Sequence, residues 1–360
     1  MSWDGPVSGE RLLFLAPHPD DETLAAGALL QRTIARGGRA RVVFATDGDN
    51  NPWTQRLVEG RIRIRPDDSA RFGRRRRAEA LAALAELGLA ADDALFLGLP
   101  DQAITDLVIA GDGGAVERLA AALRDWRTTL LVLPSLFDLH PDHSALAVLM
   151  RLALERASPD PLPRALSYIV HRTGSMDVPA AGDLPETTCL KPTDEEMAGK
   201  RRAILRHATQ LTVHRRKFLS FAGRPEVFFK ERGPDMGRGL HPVRRARLDD
   251  GALRLDLELH PRLGAFGRPT LHLASGLPGT RRSLSLTLRW RRGQTDVRDA
   301  LTAQTAGRAA LRGGRRGGTV EVPLASLPDS DRLFVKLERR FGFFDEGGWL
   351  EVNGCRRGDA

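Results

Sequence analysis

Short apolar runs alternate with helix-like stretches from about residue 10 to residue 170, and this alternation constrains the fold more than any other feature of the sequence. The apolar runs are 11–17, 41–46, 94–99, 129–135 and 167–171. Strands that are joined through helices pair in parallel by right-handed crossovers, and helices then cover both faces of the sheet. We therefore predict an α/β fold with a Rossmann-like, mostly parallel sheet and helices on both of its faces.

The segments between these runs predict the helices of the same region. The predicted helices are Thr23 to about Arg36, Ser69–Leu89, 114–126, 143–156 and, beyond the last run, Asp194–Thr212. Gly37 and Gly38 end the first of them, because glycine is typical of the position just after a helix. The stretch that follows the second strand is rich in Pro, Asn, Gly and Asp, and we predict it to be a loop.

From about residue 245 the period of the hydrophobic pattern changes to two. Leucine or tryptophan at every second position marks two clear strands, at 253–259 and 284–290, and shorter runs follow at 319–324 and 333–338. This pattern predicts an antiparallel β domain, a small sandwich, at the C-terminus. The chain is therefore predicted to have two domains, 1–238 and 245–360, and we expect a chain that ends near residue 238 to fold by itself.

Charge and composition bear on the partners of the protein. The net charge of +9 and the pI of about 10.5 favour anionic partners, although the excess of arginine over lysine fits a GC-rich coding bias equally well. A single tyrosine leaves few aromatic rings to stack on bases, so we predict no nucleic-acid partner. A peripheral association with an anionic membrane surface stays open. The N-terminus lacks the pattern of a signal peptide, which predicts a cytoplasmic protein.

Two short motifs rich in histidine and carboxylate directly follow predicted strands. They are His18-Pro19-Asp20-Asp21-Glu22 and Asp138-Leu139-His140-Pro141-Asp142-His143. The carboxyl ends of parallel strands lie at one edge of a sheet, where active sites form. Two histidines and an aspartate supply the three protein ligands of a catalytic zinc ion, which leaves one position open. A remaining carboxylate and a remaining histidine then provide a general base and a proton donor.

These two motifs resemble those of the PIG-L (LmbE-like) family of zinc-dependent N-acetylglucosamine deacetylases, and the resemblance covers roughly residues 10–230. It implies that His18, Asp21 and His143 bind one Zn²⁺ per chain. It further implies that Asp20 is the general base that activates a zinc-bound water. His140 would protonate the leaving amine or stabilise the tetrahedral intermediate.

The resemblance also implies roles for residues around the metal. Asp142 would orient one imidazole, Arg76 would bind the substrate, and Asp101 would bind the hydroxyl groups of a sugar. Lys200, His207 and Gln210 also follow a pattern of the family. A role in helix packing and a role in the site fit this pattern equally well. The mycothiol enzyme of the family has a tyrosine two residues before its second motif histidine, where this chain has Asp138, so the partner in the oxyanion hole stays open.

Four consecutive arginines, at 74–77, surround the position of Arg76. Successive residues of a helix turn by about 100°, so the four cannot share one face and most of them must be solvated. Only Arg76 matches the substrate position of the family. The sequence therefore predicts that Arg76→Ala raises KM strongly and that Arg75→Ala does little.

The predicted reaction is hydrolysis of the acetyl group from an N-acetylated sugar, an N-acetylhexosamine unit of a glycoconjugate or of a lipid- or nucleotide-linked sugar. Two alternatives remain. A catalytically inactive carbohydrate-binding or scaffold protein is compatible with the added β domain. A non-haem iron oxygenase is compatible with His18, Asp20 and His143 as two histidines and one carboxylate, although such sites usually occur on all-β scaffolds.

Overall fold

The structure is a computed structural model that describes residues 3–172, 187–230, 241–249, 251–259, 268–275, 283–314, 316–328, 330–338 and 343–355. It divides into two compact units. The first comprises Met1–Ala103, Glu117–Ser135 and Ala153–Lys230, and the second comprises Ile104–Val116, Leu136–Leu152 and Glu231–Ala360. This division differs from the predicted boundary between residues 238 and 245, because two segments from the first part of the sequence pack with the C-terminal part. The domain division predicted from the sequence stays a prediction.

Seven strands of the described chain form the sheet of the first unit. They are Arg11–Ala16 (β1), Arg39–Thr46 (β2), Ala94–Leu99 (β3), Leu130–Pro134 (β4), Arg164–Tyr168 (β5), Thr187–Leu190 (β6) and Glu226–Phe229 (β7). The order across the sheet is β3-β2-β1-β4-β5-β7-β6. The first five are parallel, whereas β7 is antiparallel to both β5 and β6. The predicted Rossmann-like, mostly parallel sheet is confirmed, and β6 and β7 add an antiparallel edge that the sequence analysis missed.

Strand β1 lies in the middle of this sheet because its side chains are apolar in both directions. Leu12 and Phe14 point to one face, Leu13 and Leu15 to the other, and all four are fully buried. A strand that is covered on both faces reads as a continuous apolar run rather than as an alternating one. The run 11–17 therefore already carried the information that helices cover both faces.

Eight α-helices occur in the described chain. They are Asp21–Ala35 (α1), Pro52–Glu59 (α2), Pro66–Glu86 (α3), Ile104–Ala110 (α4), Gly113–Trp126 (α5), Pro141–Ala157 (α6), Asp194–Arg206 (α7) and Ala208–Ser220 (α8). The predicted helix 194–212 is two helices, which break at His207. Helix α2 lies where we predicted a loop. Its start had a signal, because the Asn51 side chain accepts the Thr54 N–H and a proline follows it.

The order of the strands locates the functional edge of the sheet. Strands β1 and β4 are adjacent and parallel, and the order along the sheet reverses between them. Ligands of open α/β sheets bind at the carboxyl ends of the strands that flank such a reversal. The first motif follows β1 directly, and the second motif follows β4 along the chain.

Nine strands of the described chain form one antiparallel sheet in the second unit. They are Val243–Asp249 (β8), Ala252–Glu258 (β9), Thr270–Ser275 (β10), Ser283–Thr287 (β11), Gln294–Asp299 (β12), Thr305–Gly314 (β13), Gly317–Pro323 (β14), Ser330–Glu338 (β15) and Trp349–Cys355 (β16). Their order is β16-β15-β10-β11-β12-β13-β14-β9-β8. The antiparallel β region is confirmed, but its strands form one hydrogen-bonded sheet and not the two sheets of a sandwich. The edge strands β8 and β16 contact each other.

Within the described residues, no helix combines the length and the apolar character that crossing a membrane requires.

The packing of the second unit bears on whether residues 1–238 can fold alone. The Asp345 N–H donates to the Leu139 carbonyl at 2.8 Å, and the Trp349 N–H donates to the Leu136 carbonyl at 2.8 Å. Both acceptors lie in the segment that carries the second motif. Without residues beyond 238, this segment loses two main-chain hydrogen bonds and its packing.

We therefore expect a chain that ends near residue 238 to be poorly soluble or to lose its metal, in contrast to the expectation from the sequence. Thermal melting and elemental analysis of the truncated and full-length chains test this. A chain that ends at residue 355 is the matched control. A truncated chain with the melting temperature and the metal content of the full chain would support the predicted domain boundary instead.

Candidate active site

The turn between β1 and α1 holds the first motif in a constrained conformation. Asp20 has φ 151° and ψ −26°, which side chains rarely adopt, and it directly precedes the first helical residue, Asp21. The Asp20 N–H donates to the Glu22 carboxylate at 3.0 Å. Backbone strain of this kind persists only where the surroundings enforce it, and it concentrates at functional sites.

His18 and Asp21 have the spacing of two ligands of one metal ion. The His18 N–H donates to Asp21 Oδ2 at 3.0 Å, and His18 Nδ1 lies 3.3 Å from the same oxygen. Two ligand atoms that each lie about 2.1 Å from a tetrahedral zinc ion are roughly 3.4 Å apart. Both side chains are buried. This distance suits two ligands of one ion and equally suits a direct ion pair between the two side chains.

Asp101 lies on the other side of the His18 ring. Its Oδ1 atom is 3.3 Å from His18 Nε2, and its Oδ2 atom accepts the Asn50 N–H at 2.7 Å. Burial raises the pKa of the Asp101 carboxyl, but the hydrogen bond and charge of His18, with the charge of Arg76, outweigh it and lower that pKa below its usual value. A carboxylate on the second nitrogen of a metal-binding histidine orients the ring and increases its basicity.

Arg76, on α3, reaches the turn from the side. Its guanidinium donates to the Gly48 carbonyl at 2.9 Å, to the Pro19 carbonyl at 3.0 Å and to Asp20 Oδ2 at 3.1 Å. Gly48 has φ +63°, and a Cβ atom there would collide with this guanidinium. Arg76 is 4% exposed, whereas Arg75 and Arg77 are exposed, as the helical geometry of the four arginines predicted.

The electrostatics of the site suit Asp20 to proton transfer. Burial raises the pKa of Asp20 to about 6, Arg76 opposes this shift, and Asp21 adds to it. A carboxylate whose pKa lies just below neutral is ionised at pH 7 and still a competent base. The hydrogen bond from Arg76 fixes the position of one of its oxygens.

We predict that Arg76→Ala lowers kcat by about 10- to 100-fold with little change in KM, because it removes a hydrogen bond between charged groups worth about 1.5–3 kcal/mol. Steady-state kinetics test this, and Arg75→Ala is the matched control, since Arg75 is exposed and pairs with Glu79. A rise in KM at constant kcat would instead support the role in substrate binding that the sequence predicts for Arg76.

His207 lies behind the turn and not in it. Its Nε2 atom is 3.4 Å from Glu22 Oε1 and 3.2 Å from Thr23 Oγ1, and the ring is fully buried. Burial lowers the pKa of His207, but Glu22 and the nearby Asp20 outweigh burial and raise it. Since Glu22 also accepts the Asp20 N–H, His207 supports the strained turn through Glu22.

Lys200 and Gln210, which belong with His207 to one pattern of the family, have structural contacts. Lys200 Nζ forms a buried ion pair with Glu226 Oε1 at 2.7 Å. The Glu226 carboxylate also accepts the N–H groups of Ala28 and Leu29, just after the kink of α1 at Ala26. Gln210 donates to Thr209 Oγ1 at 3.3 Å. These contacts stabilise the packing of the helices, so Lys200 and Gln210 act away from the motif.

The second motif belongs to the second unit, and Asp138 organises it. Asp138 Oδ2 lies 3.2 Å from His143 Nδ1, and Asp138 Oδ1 accepts the His140 N–H at 2.9 Å. Both Asp138 and His143 are fully buried. Metal-binding histidines typically donate one ring N–H to a carboxylate in this way, which directs the other nitrogen to the metal. The sequence predicted that Asp142 orients one imidazole, which stays a prediction, and Asp138 is a carboxylate that contacts the His143 ring.

Asp142 contacts the backbone and the other histidine of the motif. Its Oδ1 atom accepts the Ile104 N–H at 3.1 Å, and its own N–H donates to His140 Nδ1 at 3.2 Å. A neutral His140 ring that accepts at Nδ1 carries its proton on Nε2. His140 can therefore donate a hydrogen bond from Nε2.

Comparisons with known proteins found a family model, curated relatives and solved structures that are similar to this chain. The family model described as PIG-L, GlcNAc-PI de-N-acetylase, matches residues 13–154. The 1D-myo-inositol 2-acetamido-2-deoxy-alpha-D-glucopyranoside deacetylase of Mycobacterium sp. (strain KMS) is 31% identical over 58% of this chain and 78% of its own length. The same enzyme of Mycolicibacterium smegmatis is 28% identical over 56% and 81%. Among solved structures, the conserved protein TT1542 from Thermus thermophilus is 24% identical, with a TM-score of 0.45 over 62% of this chain and 95% of that one.

A mostly parallel sheet with histidine- and carboxylate-rich motifs after two adjacent strands, together with the similarity to deacetylases of an acetamido sugar, defines an amidohydrolase. The residues that the family model matches include the whole of both motifs. The chain belongs to the PIG-L family.

Proposed function

We propose that this protein is a zinc-dependent deacetylase that hydrolyses the acetamido group of an N-acetylhexosamine unit to a free amine and acetate. The observation that carries the proposal is the 31% identity, over 78% of its length, to a deacetylase of an acetamido sugar. The family model matches residues 13–154, which contain both motifs, and this supports the proposed chemistry. A larger group attached to the sugar is part of the proposal.

One Zn²⁺ per chain is held by His18, Asp21 and His143 in this proposal. Two observations support the ligand set. The spacing of 3.3 Å between His18 Nδ1 and Asp21 Oδ2 suits two ligands of one ion, and the contact of His143 Nδ1 with Asp138 leaves Nε2 as the coordinating atom. When bound, zinc supplies a Lewis acid that polarises the amide carbonyl and lowers the pKa of water.

The side chains of the motifs carry the proton transfers. Asp20 takes a proton from the attacking water, with one oxygen held by Arg76. A neutral His140 with its proton on Nε2 stabilises the tetrahedral intermediate by donating a hydrogen bond to its oxyanion. The proton that Asp20 took from water passes to the nitrogen of the acetamide as the C–N bond breaks. Asp101 orients His18 and binds a hydroxyl group of the sugar.

The test is mass spectrometry for the loss of one acetyl group across a panel of acetamido sugars. The panel contains N-acetylglucosamine, its inositol glycoside, its 1-phosphate and its nucleotide-linked form, each incubated with the zinc-loaded protein. Acetyl loss from at least one sugar, absent for His143→Ala, is the expected result. A fully metal-loaded protein that deacetylates none of them would overturn the proposal and favour the inactive carbohydrate-binding alternative.

The iron-oxygenase alternative predicts a different metal and different ligands. Elemental analysis of the purified protein separates iron from zinc directly. A peripheral association with an anionic membrane surface and a cytoplasmic location stay predictions from the sequence.

A further inference from the structure

A loop of the second unit runs along the segment that carries the second motif. We call residues 343–349, which lead into β16, the bracing loop. Its Asp345 and Trp349 N–H groups donate to the carbonyls of Leu139 and Leu136, both at 2.8 Å. Gly348 has φ +70°, and a Cβ atom there would collide with the Leu136 carbonyl oxygen. The two backbones therefore approach too closely for any other residue.

A buried ion pair fixes the bracing loop on the sheet. Lys336, on β15, is 1% exposed, and its Nζ atom lies 2.8 Å from Asp345 Oδ2 and 3.3 Å from Thr105 Oγ1. Its ammonium group also lies 5.8 Å from the centre of the Trp349 ring. Separating a buried pair leaves an uncompensated charge, so Asp345 has one favourable position. Lys336 therefore anchors the bracing loop, and Thr105, which Lys336 contacts, also donates to the Pro141 carbonyl of the second motif at 3.3 Å.

The first residue of the bracing loop touches a residue that the proposed reaction needs. The centres of the Phe343 and His140 rings are 4.8 Å apart, with an angle of 79° between the ring planes. This edge-to-face geometry is favourable for aromatic pairs. His140 is also held at Nδ1 by the Asp142 N–H. The His140 ring can still rotate about this hydrogen bond, and the packing of Phe343 restricts that rotation.

We propose that Phe343 is a positioning residue for His140. Phe343 lies in the C-terminal β region, outside residues 13–154, which are the residues that the family model matches. This inference rests on the proposed function, because His140 acts in the proposed hydrolysis of the acetamide. Phe343 holds the imidazole so that its Nε2–H donates a hydrogen bond to the oxyanion of the tetrahedral intermediate. His140 keeps its proton in this step. The proton that Asp20 took from water moves to the nitrogen as the C–N bond breaks, and the amine leaves with the electron pair of the bond.

The kinetic test compares Phe343→Ala with Phe343→Leu, each in the full-length, zinc-loaded chain. Because Phe343 is 45% exposed, neither change should affect folding. We expect Phe343→Ala to lower kcat by about tenfold, since misplacing a catalytic group by about 1 Å can cost up to 100-fold. KM and zinc content should be unchanged, and Phe343→Leu should restore part of kcat. Leu301→Ala, at an apolar side chain of the same unit that is 64% exposed, is the matched control and should change nothing.

Double mutants then separate positioning from a merely structural effect. In a His140→Ala background, Phe343→Ala should cause no further loss of kcat, because residues that act as a unit are not additive. An equal loss in both backgrounds would overturn the proposal. A rise in KM at constant kcat would overturn it too, by showing that Phe343 contacts the substrate and not only His140.

A spectroscopic readout separates the failure of this inference from the failure of the proposed function. In protein labelled with ¹⁵N-histidine, we expect one sharp set of His140 ring signals in the parent chain and broadened or doubled signals in Phe343→Ala. The loss of a neighbouring ring current alone would move the signals without broadening them. Sharp, single signals in Phe343→Ala would overturn the positioning role, whatever sugar the protein deacetylates.

Discussion

His143→Ala should remove the bound metal and the deacetylase activity together. The His143 ring is fully buried, and its Nδ1 atom is held by Asp138. Its side chain therefore has one ring nitrogen fixed on a carboxylate and the other directed to the proposed ion. A catalytic zinc ion has three protein ligands, so the loss of one of them should greatly weaken the binding of zinc. The activity should follow the metal, because the uncatalysed attack of water on an amide is slow.

The measurement is the zinc content of the purified, dialysed protein alongside its rate of acetyl release. His18→Ala and Asp21→Ala should behave like His143→Ala. Asp138→Asn should be milder, because the loss of a residue that orients a ligand typically weakens metal binding by about 10- to 100-fold. His272→Ala is the matched control, since His272 is a partly buried histidine of the β unit that pairs with Glu338. Full zinc occupancy in His143→Ala would show that the ligand set is wrong.

Asp20→Asn should leave zinc bound and lower kcat by about 10²- to 10⁴-fold, the usual contribution of a general base. The amide has the size of the carboxylate and can still accept the hydrogen bond from Arg76, so the turn should keep its shape. What it loses is the ability to take a proton from water. Asp21→Asn is the informative comparison. This variant changes a proposed zinc ligand, so it should lose the bound zinc.

The pair of variants also decides between two chemistries. An iron site built from His18, Asp20 and His143 predicts the opposite outcome, with metal lost in Asp20→Asn and retained in Asp21→Asn. Zinc content, kcat and far-ultraviolet circular dichroism should be measured on both variants, so that a folding defect is recognised as such. If Asp20→Asn lowers kcat by less than tenfold, another group is the general base.

The period of the hydrophobic pattern was enough to predict the two kinds of sheet. Apolar runs such as Leu12–Ala16 are buried on both faces, and leucines at every second position of β9 face one way, so each pattern reports burial directly. The motifs were equally visible, because they occupy a few adjacent positions directly after a strand. Features encoded over a few neighbouring residues can be read from one sequence.

The contacts that prepare these motifs for chemistry could not be read in this way. Arg76 lies 56 positions from Asp20, and Lys336 lies 231 positions from Thr105. The substrate-binding role that the sequence predicts for Arg76 stays a prediction, and its contact with Asp20 was not predicted, because a local pattern does not reveal which buried carboxylate a guanidinium meets. The sequence analysis likewise assigned no role to Phe343, since nothing near residue 343 refers to His140. Pairings between distant segments depend on how the strands are ordered and how the chain packs, and the periodicity of a sequence carries no information about either.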